Sequence, residues 1–133
     1  MSLTVVLYNT ISLIAVACCW GLTNPFIKLG SKGLEDIKAH RKEWYYQTYE
    51  ELKFLFTNWK YVLPLLINLS GSAVYYYTLG QADLSLAVPI TNSLTLIFTL
   101  LGGKLLGENI NFKDIWFGML LVIVGVTLCV LSK

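Results

Sequence analysis

Four long stretches without a single charged side chain dominate this sequence: residues 1–27, 61–82, 84–103 and 115–132, which are 27, 22, 20 and 18 residues long. A bilayer hydrocarbon core about 30 Å thick takes roughly 20 mostly apolar residues of helix to cross, and only helices or closed barrels satisfy their own backbone groups there. The pattern predicts an all-α membrane protein with four transmembrane helices, at about Leu3–Ile27, Tyr61–Leu79, Leu84–Leu106 and Ile115–Leu131. A soluble helical bundle would need a polar face to meet water, and neither 84–101 nor 115–132 has one.

The same arithmetic leaves a single domain, residues 1–133, whose only long polar segment is 28–60. That is no room for a soluble enzyme domain. A net charge of +2, with basic and acidic residues interleaved, is too weak for binding to a phosphate backbone, so nucleic acid is not expected as a partner. Cys18, Cys19 and Cys129 all fall inside predicted helices, where they read as small packing residues and not as a disulfide framework. Ala15-Val16-Ala17 resembles a small-residue cleavage site. No basic segment precedes it, however, and its apolar stretch outlasts the roughly 7 to 15 residues of a signal-peptide core, so a retained first helix is expected.

Only Gly80-Gln81-Ala82-Asp83 separates the second and third helices, which predicts an antiparallel hairpin. Within 28–60, Tyr45, Tyr49, Leu52, Phe56 and Trp59 recur at helical spacing, while Glu43, Gln47, Glu50, Glu51 and Thr57 fall largely off that stripe. An amphipathic helix is expected there, either lying in the membrane interface or packed against the bundle's own end. Trp59, Tyr61, Phe112 and Trp116 fit an aromatic belt.

Lysine and arginine near helix ends are retained on the cytoplasmic side. Lys28, Lys32, Lys38, Arg41, Lys42, Lys53 and Lys60 lie in the first long loop, and Lys104 and Lys113 before the last helix; only Lys133 lies at the other end. Both long loops are therefore expected to be cytoplasmic.

No ionisable residue lies in mid-helix, so a buried carboxylate that carries protons has no candidate. Neutral polar residues form stripes instead. Asn68, Ser72 and Tyr75 follow an i, i+4, i+7 pattern on the second helix, Asn92, Thr95 and Thr99 do so on the third, and the first helix offers Asn9, Ser12, Thr23 and Asn24. Such stripes line a solute path or join helices through hydrogen bonds. Pro89 removes a backbone bond within the third helix and predicts a kink there, whereas Pro64 reads as part of the second helix's first turn. Gly118 and Gly125 lie seven residues apart on the fourth helix and suit a helix–helix or oligomer contact. Asp83 is placed to cap the third helix. Asn68-Leu69-Ser70 spells a glycosylation sequon, but at membrane depth. With His40 alone, no phosphate-binding glycine loop and no metal-ligand spacing, neither catalysis nor a metal or cofactor is expected.

Trp20-Gly21 with Lys28, Ala87-Val88-Pro89, Leu106-Gly107-Glu108, and Gly118-Met119-Leu120-Leu121 with Gly125-Val126 together resemble the drug/metabolite transporter superfamily. Leu86-Ala87-Val88-Pro89-Ile90, Asn92-Ser93-Leu94, Ile97-Phe98-Thr99, Gly103-Lys104 and Phe117-Gly118-Met119 look like the signature of the transmembrane protein 234 family, over nearly the whole chain. That resemblance implies a small four-helix membrane protein. The small multidrug resistance transporters, four-helix chains that pair antiparallel, carry a helix-one glutamate that would fall near Trp20 and aromatic residues that would fall near Val88 and Thr91; all three are missing here. The one-sided basic charge also disfavours an antiparallel pair.

Two functional expectations follow. In the first, an oligomer moves a small neutral or polar solute along a path lined by Asn68, Ser72, Tyr75, Asn92, Thr95 and Thr99. In the second, a non-transporting scaffold or accessory subunit binds partners through 28–60. Beyond the lipid bilayer itself, the expected partners are further copies of the chain or another membrane protein.

Overall fold

A computed structural model describes residues 2–38 and 43–132. His40, Arg41, Lys42 and Lys133, which enter the expectations above, lie outside them. The described residues form six helices: α1 (Leu3–Gly30), α2 (Leu34–Lys38), α3 (Trp44–Thr57), α4 (Trp59–Leu79), α5 (Leu84–Leu105) and α6 (Phe112–Leu131). Four of them, α1, α4, α5 and α6, are long and apolar enough to cross a membrane. The spans run past their uncharged cores at several ends. α1 takes in Lys28 and α6 begins at Phe112, so these helices extend beyond the uncharged runs.

α1 is the central element. It packs along both α4 and α5, while α6 packs chiefly on α5, giving a row in the order α4, α1, α5, α6. The expected α4–α5 hairpin is corrected by this arrangement: the two helices are joined by a short turn, but α1 is wedged between them and they barely touch. Asp83 caps α5 as expected, its carboxylate accepting from the Ser85 amide at 3.2 Å.

Close approach explains the wedge. A methyl group added at Gly21 would lie 2.7 Å from the Thr95 carbonyl oxygen and 2.9 Å from the Thr99 amide nitrogen of α5, and would overlap the Phe98 Cβ. At the far end of α1, a methyl added at Gly30 would lie 2.5 Å from the Lys60 carbonyl oxygen of α4. With α4 starting at Trp59, Pro64 lies beyond the first turn, a correction to its expected role as a helix start. Lacking an N–H, it leaves the Lys60 carbonyl without a helical partner, and that carbonyl is the one packed on Gly30.

Polar contacts fix the two ends. At one, Asn9 on α1 donates to the Gln81 carbonyl at 3.2 Å. At the other, Lys28 pairs with Glu108 at 2.8 Å, and Asn58 donates to the Gly30 carbonyl at 2.8 Å while accepting from the Lys60 amide. α1 thus runs parallel to α5 and antiparallel to α4, and the α1–α4 and α5–α6 connections share one end of the bundle.

α3 is the amphipathic helix between the first two spans. Gly33 lies against Phe54 on one flank of α3, where Ile37 and Phe54 line a common cavity, but Tyr45, Tyr49, Leu52 and Phe56 are 52%, 65%, 48% and 66% exposed. The aromatic stripe is therefore not packed on the bundle's own end.

Candidate functional site

The most connected polar cluster crosses the α4–α1–α5 layer at a single level. Asn68 of α4 donates to the Thr23 hydroxyl at 2.8 Å and to the Asn24 side-chain oxygen at 3.5 Å. Asn24 in turn donates to the Thr99 hydroxyl of α5 at 3.2 Å. Both threonines pass their own protons back along their helices, Thr23 to the Cys19 carbonyl at 2.7 Å and Thr99 to the Thr95 carbonyl at 2.8 Å. Below this level the Trp20 indole donates to the Asn68 carbonyl at 3.1 Å and meets Tyr75 edge-on, ring centroids 4.9 Å apart. Cys19 donates to the Ile67 carbonyl at 3.2 Å.

The sequence puts these groups in register for a simple reason. Trp20, Thr23 and Asn24 lie within four residues, hence one turn, of each other, and Gly21 within the same turn lets α5 approach until Thr99 is in reach. Gly71 does the same toward α4, where an added methyl would lie 3.1 Å from the Cys19 sulfur and 3.2 Å from the Trp20 ring nitrogen.

The six residues expected to line one path separate into distinct places. Asn68 and Thr99 are joined through Asn24. Ser72 and Thr95 each donate to a carbonyl one turn earlier in their own helix, Asn68 and Thr91 respectively. Tyr75 meets Trp20 edge-on. Asn92 lies elsewhere, exposed beside a cavity of about 240 Å³ between α5 and α6 that Pro89, Ser93, Val122 and Val126 complete. Gly118 and Gly125 face open space, since an added methyl at either would meet nothing within 4 Å.

Trp20 and Gly21 are the members that the stripe patterns did not bring forward. Asn24, read with Thr23 among the polar residues of the first helix, sits at the junction of three helices. Pro25, one residue on, is buried, and its ring lies 3.1 Å from where a methyl on Gly102 would be. Among the described residues no three of His, Cys, Asp and Glu are gathered to hold a metal ion. Outside the spans, Tyr45 donates to the Glu43 carboxylate at 2.6 Å, and that bond raises the phenol above its ordinary value near 10.

Residues 13–130 match the family described as "Putative transmembrane family 234". A transmembrane protein 234 homolog of Dictyostelium discoideum is 49% identical over 126 residues, covering 95% of this chain and 97% of the relative. A second homolog of that name, from Anopheles gambiae, is 48% identical over 127 residues, covering 96% and 89%. No solved structure matches.

Proposed function

This chain is a multi-pass integral membrane protein that belongs to transmembrane family 234, and from that premise we propose that it serves as a membrane scaffold or accessory subunit whose partner surface is the segment 28–60, on the cytoplasmic side. One observation carries the reading: the polar groups between the central spans are used in joining helices, whereas the aromatic face of α3 is left uncovered. Asn58 is the single residue between α3 and α4 and is bonded to the end of α1, which holds α3 at the level where the spans leave the membrane. Its stripe continues into Trp59, itself 76% exposed. The cytoplasmic assignment is supported by the position of both long loops at one end, together with the excess of lysine there.

A photoreactive residue at Tyr49 in native membranes tests this. A crosslinked protein of defined mass is expected, and Tyr45→Glu with Phe56→Glu should abolish it. Those exposed positions should leave the unfolding midpoint within about 0.5 kcal/mol of the parent. Adducts with lipid alone would refute the proposal.

A second reading, transport by an oligomer of drug/metabolite-transporter type, is favoured by α6. It packs chiefly on α5 and none of its residues is buried, so the single chain leaves a face on which further copies could close a path. Asn92, the one of the six expected path residues beside α6, would then face solute. Proteoliposomes assayed with urea and glycerol by light scattering decide it: this reading expects swelling faster than in empty vesicles, slowed by Asn68→Leu with Asn92→Leu. Equal rates with and without protein would end it.

A further inference from the structure

Asn92 is the ninth residue of α5, about 12 Å along the helix at 1.5 Å per residue and so near the middle of a core about 30 Å thick. Its side chain is exposed and makes no hydrogen bond among the described residues. A carboxamide offers two donors and an acceptor, and hydrocarbon satisfies none of them. One turn earlier on the same face, Pro89 has no N–H to give the Ser85 carbonyl, and Ser85 is exposed as well. The Asn92 carboxamide therefore opens into lipid beside the groove that Val122 and Val126 of α6 complete, with the Ser85 carbonyl two turns away at the start of the same face. Gly118 and Gly125 leave the α6 side of this region without bulk.

We infer that this α5–α6 face is where a second copy of the chain docks, in parallel, with Asn92 bonded to its counterpart. The groove's polar centre selects this occupant. A lipid chain would leave the carboxamide unmet, whereas two carboxamides related by a two-fold axis exchange donor for acceptor. The charges select the orientation. Lys28, Lys32, Lys53, Lys60, Lys104 and Lys113 gather toward one end of the spans, so both copies insert the same way. A two-fold axis along the membrane normal then sets the two Asn92 residues at equal depth. This inference is independent of any partner at α3.

The test is the monomer–dimer equilibrium of the full chain in liposomes, followed by single-molecule photobleaching as lipid is diluted in. The parent is expected to dimerise, Asn92→Leu to weaken dimerisation by about tenfold, and Asn92→Gln, which keeps the carboxamide, to retain most of it. Val122→Trp fills the groove while leaving the Asn92 carboxamide in the sequence, and should also give monomer. It decides the matter if Asn92→Leu fails to fold, as judged by its thermal unfolding. A parent that is monomeric at every dilution would overturn the inference. So would dimers unchanged in folded Asn92→Leu or in Val122→Trp, whether or not solute flux has changed.

Discussion

Replacing Gly21 with alanine will destabilise the protein by about 1–3 kcal/mol, and leucine at the same position will prevent α1 from seating against α5 altogether. The added methyl has nowhere to go. Two of the atoms it meets belong to the α5 backbone, the Thr95 oxygen at 2.7 Å and the Thr99 nitrogen at 2.9 Å, and the third is the Phe98 Cβ, which no rotamer can move away. The helices must separate, and the nearest interhelical bond, Asn24 to Thr99 at 3.2 Å, has little slack to lose. Because α1 packs along both α4 and α5, the loss reaches the whole layer. Unfolding by increasing detergent denaturant fraction measures it. Gly80→Ala is the control, as Gly80 is in helical conformation with its nearest neighbour 3.5 Å from the added methyl; it should leave the midpoint unchanged or raise it slightly. A Gly21→Ala chain as stable as the parent would show that α1 and α5 are not in this contact.

The presence of four spans was readable from charge alone, since a run of about 20 residues without Asp, Glu, Lys or Arg has few other uses. α3 was readable from its spacing, and Asp83 from its position before an apolar run. The neighbour relations were not. A four-residue connection says that α4 and α5 are consecutive and antiparallel, but between spans the choice of neighbour is made by which surfaces approach most closely. Here Gly21, Gly71 and Gly102 make α1 the better neighbour of both. That choice also determines the fate of the polar stripes. Asn68 and Thr99, read on two helices facing each other, instead reach opposite sides of α1, where Asn24 joins them. The helix ends shifted for a local reason: Asn58 can cap α4 only if the helix starts at Trp59, and this moves Pro64 out of the first turn.

Asn68→Leu is expected to cost about 1–2 kcal/mol of stability, because it removes the donor that ties α4 to both Thr23 and Asn24. The replacement is similar in volume, so the loss reports hydrogen bonding and not a cavity. The Thr23 hydroxyl keeps its own acceptor, the Cys19 carbonyl at 2.7 Å, which sets an upper limit on the penalty. A double-mutant cycle makes the assignment specific. Asn68→Leu with Thr23→Val should show coupling of about 0.6–1.7 kcal/mol, and Asn24→Leu with Thr99→Val a similar value. Asn68→Leu with Ser72→Ala should show almost none, since Ser72 donates to the Asn68 backbone carbonyl, which leucine retains. A solute path makes the opposite demand: its polar residues must exchange partners with the solute, so Asn68→Leu would change flux while leaving stability and the Thr23 coupling near zero. Measured coupling at Thr23 and Thr99 but not at Ser72 would assign this cluster to holding α4, α1 and α5 together.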